Sequence, residues 1–516
     1  MQATTHSVTL SGLDAHPVHI EVDTGRGLPA FRLVGLPEAA VRESRVRVRA
    51  ALRHLDLDLN EFALTVNLAP AYLRKAGSAY DLAIALGVLA ALERVDAGAL
   101  AGTVLLGELS LAGELRPVGG VLPALMGARR RGYDRAIIPC DNQGEAADLG
   151  DVDIRVANRL EEVVQALAGE RVLARAQRPE APTTTSTHAP PPVDLAEVRG
   201  QPAARRALEI AAAGGHNLLM VGPPGAGKTM LARRLPTLLP AMSDEERLLV
   251  TAVHSVAGLL RGEMGLVRRR PFRAPHHSVS RAALLGGGLP LRPGEVSLAH
   301  HGVLFLDELP EFGRAVIEGL RQPLEDGEIT ICRARARATF PAAPMLVAAI
   351  NPCPCGYHGD PRRRCRCSPE RVRGYRDRLS GPLLDRIDLQ LSLPPVDLAT
   401  LHGAPRGEDS ATVAARVASA RSRALERGPR ACLNAQRSTA ELDTLAPLDP
   451  PTQRLLQRAG EQLGLSARAY LRLRRVALTI ADLEGASRPA PAHYAEAIQL
   501  RTFDRASAEV AGSPPP

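Results

Sequence analysis

The chain has no tryptophan, aromatic residues make up 3% of it, and only Lys75 and Lys228 among its 64 basic side chains are lysine. So complete a replacement by arginine singles out two positions where a compact ammonium is kept and a guanidinium fork is not. The longest apolar run, residues 82–92, is too short to span a bilayer and reads as a buried helix. The N-terminus lacks a charged segment followed by an apolar core, so no secretory signal is expected. The seven cysteines are odd in number and four of them cluster, which excludes an ordinary disulfide framework and predicts a reducing, cytoplasmic setting. A chain of 516 residues has room for about two to four domains. Its net charge of +8 suits an acidic partner such as nucleic acid, although arginine-rich composition alone also accounts for it.

One break is plain. Residues 178–192 (RPEAPTTTSTHAPPP) are rich in proline and threonine, lack apolar periodicity and read as an extended linker. Before it, strand patterns at 8–13, 18–22, 62–68, 103–106 and 135–139 mix with helix patterns at 38–55, 80–92 and 122–131, an α/β segment. After it, strands and helices alternate from 195 to about 396, which predicts a parallel sheet covered by helices. From about residue 410 the pattern is helical, broken at Gly428-Pro429 and at 447–451. The expected divisions are a domain at 1–172, a linker at 173–193, a core at 194–400, a helical domain at 401–505 and a disordered tail at 506–516.

Gly222, Pro223, Pro224, Gly225, Ala226, Gly227, Lys228 and Thr229 complete the pattern G-x-x-x-x-G-K-[ST]. An apolar run (NLLMV, 217–221) precedes it and a helical run (MLARRL, 230–235) follows, the strand–loop–helix setting of a true phosphate loop. Backbone N–H groups wrap the phosphates, the helix start favours the anion, and Lys228 reaches the β and γ oxygens. A nucleoside triphosphate is the expected ligand. Downstream, GVLFLDE (302–308) is an apolar strand ending in Asp307 and Glu308. Lying beside the P-loop strand, it would bring Asp307 to a Mg²⁺ opposite Thr229 and leave Glu308 to orient or deprotonate water. A third apolar strand, 345–351, ends in Asn351, whose amide can hold the water or the γ-phosphate. In SGPLLDRID (380–388), Arg386 sits in a short constrained segment. Spacing alone fits an arginine given to a neighbouring γ-phosphate as well as it fits a surface ion pair.

Together these segments resemble the AAA+ ATPases of the magnesium-chelatase branch. RAPHH (273–277), PGEVSLAH (293–300) and NPCPCG (351–356) narrow the resemblance to the ComM (YifB) family, over nearly the whole chain. The resemblance implies an α/β fold: an AAA+ P-loop NTPase core with a parallel sheet, preceded by a Lon-protease-like (S5-like) domain and followed by a helical lid. It implies Walker A and Walker B roles for the residues above, sensor 1 for Asn351 and a trans-acting arginine finger for Arg386. Within LSARAY (465–470) it implies sensor 2 for Arg468. ATP and Mg²⁺ are the implied cofactors, and a homohexameric ring the implied assembly. The implied activity is ATP-driven movement on DNA: helicase and branch-migration work on recombination intermediates during natural transformation, with a recombinase as partner.

KAGSAYDL (75–82) and GELSLAGELRPVGGVL (107–122) resemble the Lon-protease fold, whose active members use a Ser–Lys dyad. In register, Ala79 stands at the nucleophile position and Leu122 at the lysine position, and neither side chain supplies a nucleophile or a base. Ser78, with Lys75 three residues before it, is the one remaining way to rebuild a dyad. A binding or assembly platform is the expectation.

Two features stand apart. Cys353, Cys355, Cys365 and Cys367 form two C-x-C pairs, either a thiolate Zn²⁺ site, with His358 as a substitute ligand, or reduced cysteines that bind nothing. Arg362, Arg363 and Arg364 in the same loop suit phosphate. Residues 329–340 (ITICRARARATF) alternate with period two, which predicts Arg333, Arg335 and Arg337 on one strand face, with a turn at 325–328 opening a hairpin. In the resemblance this hairpin faces the ring channel. Its arginines could track a phosphate backbone or meet solvent or a neighbouring subunit, with no aromatic among them to stack on bases. Two rivals from other classes are a metal-chelatase-type motor remodelling a protein partner and an ATP-dependent protease, the latter disfavoured by Ala79 and Leu122.

Overall fold

Alternation near the N-terminus folds as two long strands, β1 (Gln2–Ser11) and β2 (Asp14–Gly25), paired antiparallel from Gln2↔Asp23 to Ser11↔Asp14. This computed structural model describes residues 1–25, 28–178, 193–260, 265–288, 290–333, 336–395 and 405–501. The expected tail and the greater part of the expected linker lie outside the described residues. β3 (Ala30–Val34), β4 (Ala63–Ala69) and β5 (Thr103–Leu105) join the pair, with further strands Arg135–Pro139, Asp153–Ala157 and Ala174–Arg175. The eight-stranded order runs from Ala174–Arg175 through Asp153–Ala157, Arg135–Pro139, β5, β1, β2 and β4 to β3 at the edge. Ala174–Arg175 pairs antiparallel with Asp153–Ala157, so this domain runs past residue 172. A two-residue strand held by backbone bonds has no side-chain signature to announce it.

Helix α1 (Ala39–Arg53) packs Val41, Val48 and Leu52 inward, and each such burial stabilises by about 1.5–3 kcal/mol. Helix α2 (Asp81–Ala91) is buried along its whole length, as a helix apolar on every side must be. Its first residue, Asp81, accepts from Arg47 Nε at 2.6 Å and from the Leu109 N–H at 3.1 Å. Helix α3 (Val121–Arg129) starts at Gly120.

Beyond the linker, five parallel strands form the second sheet, in the order Phe272–Arg273, Val303–Leu306, Met345–Ile350, Leu218–Val221, Leu389–Ser392. The strand ending at Leu306 is therefore not beside the P-loop strand, as the sequence suggested; Met345–Ile350 lies between them. All-parallel pairing still brings every carboxyl end to one edge, where open α/β sheets bind ligands. The C-terminal helices Ser410–Glu426, Pro450–Leu463, Ala467–Leu483 and Pro491–Gln499 are no separate lobe. Val413, Val417, Leu456, Leu473, Val476 and Tyr494 share one core with Leu208, Leu218, Leu231 and Leu235.

Polar seams join the parts. Ser255, on helix Asp244–Val256, donates to the buried carboxyl of Glu145 and accepts the Gly120 N–H at 3.0 Å. Burial pushes Glu145 above the ordinary carboxylate range, against the bonds from Ser255, Asn142 and Leu122. Ser11 Oγ donates to the Arg337 carbonyl at 2.6 Å. Gly12 lies so close that a Cβ there would stand 2.7 Å from the Thr339 oxygen.

At the amino end of Leu389–Ser392, the buried Asp388 accepts from Arg472 at 2.6 Å and from the Asn217 N–H at 2.9 Å. Burial alone would raise its pKa; Arg472, His216 and Asn217 overcome this and hold it well below the carboxylate range. A depressed folded pKa means stability present above the unfolded carboxyl pKa and lost as pH falls toward the folded one. Asp388→Asn should lower the stability of this module at neutral pH by on the order of 3 kcal/mol and blunt its loss of stability in acid, read by denaturant titration across pH.

Candidate active site

The P-loop turns because Gly225 and Gly227 take φ of +80° and +84°, a region that costs other residues steric strain. Helix Lys228–Leu238 starts directly after it. Lys228 Nζ donates to the Gly222 and Pro223 carbonyls at 2.6 and 3.1 Å and to Asn351 Oδ1 at 3.0 Å. Burial lowers its pKa, while Asp307 and Glu308 act to raise it. All three of these acceptors are neutral, and bound phosphate would supply the negative charge that this buried ammonium lacks among them. Thr229 Oγ1 donates to Asp307 Oδ2 at 2.8 Å, a hydroxyl–carboxylate pair with the donor set a Mg²⁺ takes. Asp307 Oδ1 accepts the Glu308 N–H at 3.0 Å. Glu308 itself stands at φ +51°, strain on the order of 1 kcal/mol that fixes the direction of its carboxylate.

The motif RAPHH (273–277) by itself gives His277 no place in this site. The structure sets His277 Nδ1 at 3.7 Å from the Glu308 carboxylate, with its ring 4.0 Å from that of His276. Gly356, in the cysteine loop, lies against the P-loop: a Cβ there would stand 2.6 Å from Pro224 Cδ. Neither contact has a spacing that a sequence displays.

Arg386 and Arg468 fall elsewhere. The Asn217 side chain, just before the P-loop strand, donates to the Arg386 carbonyl at 3.1 Å. Arg386 is therefore at the amino end of a strand parallel to the P-loop strand, about 13 Å of strand length from the phosphate edge. It is 7% exposed, paired with Glu325 and donating to the Pro382 carbonyl at 2.8 Å. Ser466, the cap of Arg468's helix, donates to Asp385 at 3.0 Å. Arg386 and Arg468 line one cleft of about 740 Å³ with Asp388, Arg472 and Arg475.

Cys353, Cys355, Cys365 and Cys367 bring their sulfurs within 4.8 Å of one another, with three pairs at 3.3, 3.5 and 3.6 Å. Zinc–thiolate bonds of about 2.3 Å set tetrahedral edges near 3.8 Å, so the four thiols fit the ion. His358 is not in the cluster. Backbone N–H groups of Arg366 and Tyr357 pull the Cys355 thiol below its ordinary value.

The arginine row needs correction. Strands Glu328–Arg333 and Ala336–Pro341 pair through Cys332↔Arg337 and Arg333↔Ala336, so the chain reverses inside the alternating segment rather than at 325–328. Residues opposite one another share a face. Arg337 thus sides with Cys332, and Arg333 stands on the other face; Arg335 lies outside the described residues. Period two cannot tell one long strand from two short ones.

The Ser78 and Lys75 side chains also part company. Lys75 is buried, with Nζ donating to the Gly35 carbonyl at 3.1 Å and to that of Pro70, while Ser78 bonds Glu108. Ala79 packs against the cluster of Val8, Ala15 and Leu125, and Leu122 is fully buried.

Family comparisons agree with this architecture. Residues 194–401 match the model described as magnesium chelatase, subunit ChlI, residues 20–142 that for subunit ChlI of Mg-chelatase, and 407–501 its C-terminal part. The class is a magnesium-chelatase-type AAA+ ATPase, for which ATP and Mg²⁺ are implied. The chain is 44% identical to competence protein ComM of Haemophilus influenzae over 98% of both chains. It is 43% identical to YifB of Salmonella typhimurium over 98% of this chain and 97% of that one. It belongs to the ComM/YifB family. The archaeal Lon protease of Methanocaldococcus jannaschii is 24% identical over 31% of this chain and 22% of its own. Among the described residues no helix is long and apolar enough to cross a membrane.

Lys228→Ala should weaken nucleotide binding at least tenfold, because the phosphates lose their paired charge. Glu308→Gln should bind nucleotide normally and lose most turnover, about 10²-fold or more, since it lacks only the proton acceptor. Fluorescent-nucleotide titration and phosphate release separate the two. Elemental analysis of protein purified without chelator should return about one zinc per protomer, and none after Cys353→Ser and Cys365→Ser together.

Proposed function

We propose that the chain is an ATP-driven DNA motor that assembles as a homohexameric ring and does helicase or branch-migration work on recombination intermediates during natural transformation. The position of Arg386 carries this reading. It lies beside Arg468 at the end of the sheet opposite its own Lys228, which suits an arginine offered to the nucleotide of an adjacent subunit. To reach it, Arg386 must leave Glu325, so the contact also reports assembly. In each site Lys228 and the P-loop N–H groups hold the phosphates, Asn351 orients the attacking water, and Glu308 takes its proton as the bond to the β–γ bridging oxygen breaks. Mg²⁺, when bound between Thr229 and Asp307, neutralises charge on the phosphate oxygens. The name of the Haemophilus relative, a competence protein, supports DNA as the track, as do the exposed Arg333 and Arg337 of the hairpin. A Zn²⁺ held by the four cysteines would stiffen the loop that abuts Pro224. The N-terminal domain serves as a platform, not a peptidase.

Mixed rings test the reading. Arg386→Ala and Glu308→Gln proteins should each be inactive in ATP-dependent movement of a four-way DNA junction. Mixing them should restore part of the activity, since some interfaces then join an intact Glu308 to an intact Arg386. Full activity of Arg386→Ala alone would refute the shared site. Vigorous ATPase with a motionless junction, and no binding to any DNA, would refute the DNA motor.

A further inference from the structure

Five of the arginines on the chain are carried by α1, and they divide by purpose. Arg47 turns inward, where it bonds Asp81 Oδ2 at 2.6 Å, Ser44 Oγ and the Ala40 carbonyl at 3.2 Å. Arg42, Arg45, Arg49 and Arg53 do not follow it. At about 100° per residue they fall within an arc of roughly 80°, to one side of the buried Val41, Ser44, Val48 and Leu52. Arg42, Arg45 and Arg53 are exposed and Arg49 is half-buried. Among the described residues none of the four has a carboxylate partner, and the buried Nε of Arg49 has no partner at all. The acidic neighbours are engaged elsewhere: Glu43 leans toward Arg47 at 3.8 Å, and Glu38 toward Arg74 at 3.6 Å. Glu38 stands four positions before Arg42 and Asp56 three after Arg53, the spacing that stabilises a helix by ion pairing, yet among the described residues neither pair is formed, and Arg45 and Arg49 have no carboxylate at that spacing.

The surface continues beyond the basic row. Val46, beside it, is 58% exposed, and at its amino end stand Leu36 at 57% and Tyr72 at 80%. The loop bearing Tyr72 is tied to the start of α1 by the Glu38 N–H to the Lys75 carbonyl at 3.1 Å and by the Pro37↔Lys75 bridge. In a chain with 3% aromatic residues, a ring held out in solvent on the loop tied to the start of this basic helix is an unusual arrangement. From Arg42 to Arg53 the row spans about 16 Å along the helix axis, long enough to meet successive phosphates of one strand.

We propose that α1 and Tyr72 form a second nucleic-acid surface, on the N-terminal domain, that takes single-stranded DNA: the four arginines follow the phosphates and Tyr72 stacks on a base. This rests on the DNA-motor reading and adds to it a contact outside the ATPase domain, where the strand can be held independently of the hairpin. Because guanidiniums meet phosphates, binding is indifferent to sequence; because a ring stacks only on an open base, it favours single strands over duplex.

The full chain, with its hairpin intact, is titrated against labelled single-stranded and duplex oligonucleotides over a range of salt. Changing Arg42, Arg45, Arg49 and Arg53 to glutamine should weaken single-strand binding about tenfold or more at low salt. It should flatten the slope of log K against log salt by about 0.7 for each phosphate no longer neutralised, up to roughly three units. The same four changed to lysine should keep most of the slope, which separates charge from folding. Tyr72→Ala should weaken single-strand binding about fivefold or more and leave duplex binding alone. Basal ATPase should be unchanged in all three. An unaltered slope in the glutamine variant, with wild-type protein binding DNA, overturns this proposal and leaves the motor reading standing. A glutamine variant that loses its oligomeric state but not its DNA affinity assigns the row to a second copy of the chain and equally overturns it. Equal losses on duplex and single strand, with Tyr72→Ala silent, overturn the single-strand assignment. Wild-type protein that binds no DNA removes both readings.

Discussion

Parallel register in the five-stranded sheet is the constraint on which the rest depends. Val221 pairs with Ile350 and Leu306 with Ala348, so the backbone hydrogen bonds that build the sheet also bring the three strand ends to within two residues of one another. The P-loop, Asp307 with Glu308, and Asn351 follow those ends directly. No side chain has to reach far, and distances of 2.8 and 3.0 Å at Thr229 and Asn351 follow from main-chain geometry. The same register sends Arg386 to the opposite edge. The nucleotide site and Arg386 are thus held apart within one chain by the length of a strand, the separation on which the proposed sharing of the site between subunits rests.

Buried charge organises the contacts between the parts. Asp388 and the Asp385 carbonyl link the helix of Arg472 to the segment bearing Arg386. Glu145 and Ser255 join the start of α3 to the ATPase domain, and Ser11 and Gly12 touch the hairpin strand Ala336–Pro341. The N-terminal domain thus rests on two elements of the ATPase domain at once. Leu122, at the position of a protease lysine, donates its N–H to Glu145 at 3.2 Å: backbone there serves the seam between domains, where an active protease would need an amine facing its serine.

Much of this was legible in the residues. Strand and helix periods marked β4, α1, α2 and Arg135–Pro139 to within a few residues, because each buries a whole face. β3 and Ala174–Arg175 left weaker marks, since an edge strand or a two-residue strand is held mainly by main-chain bonds. The place of the Asp307 strand was misjudged because adjacency in a parallel sheet is set by crossover connections, which leave no trace in the strand itself. Arg333 and Arg337 parted for a related reason: alternation survives a reversal, so one pattern fits both a straight strand and a hairpin.

By itself the sequence determined the chemistry available: a single lysine in a glycine loop, paired carboxylates after an apolar run, four clustered cysteines, and a protease-like segment without its dyad. These are local, because covalent spacing and backbone freedom decide them. Tertiary structure alone decided which groups meet. His277 against Glu308, Gly356 against Pro224, Lys75 on carbonyls away from Ser78, and four arginines of α1 left without carboxylates all depend on chain segments far apart in sequence. Burial and hydrogen bonding select among such meetings only once the sheets are assembled, and that selection separates an arginine that holds the fold, like Arg47, from one left free to hold something else.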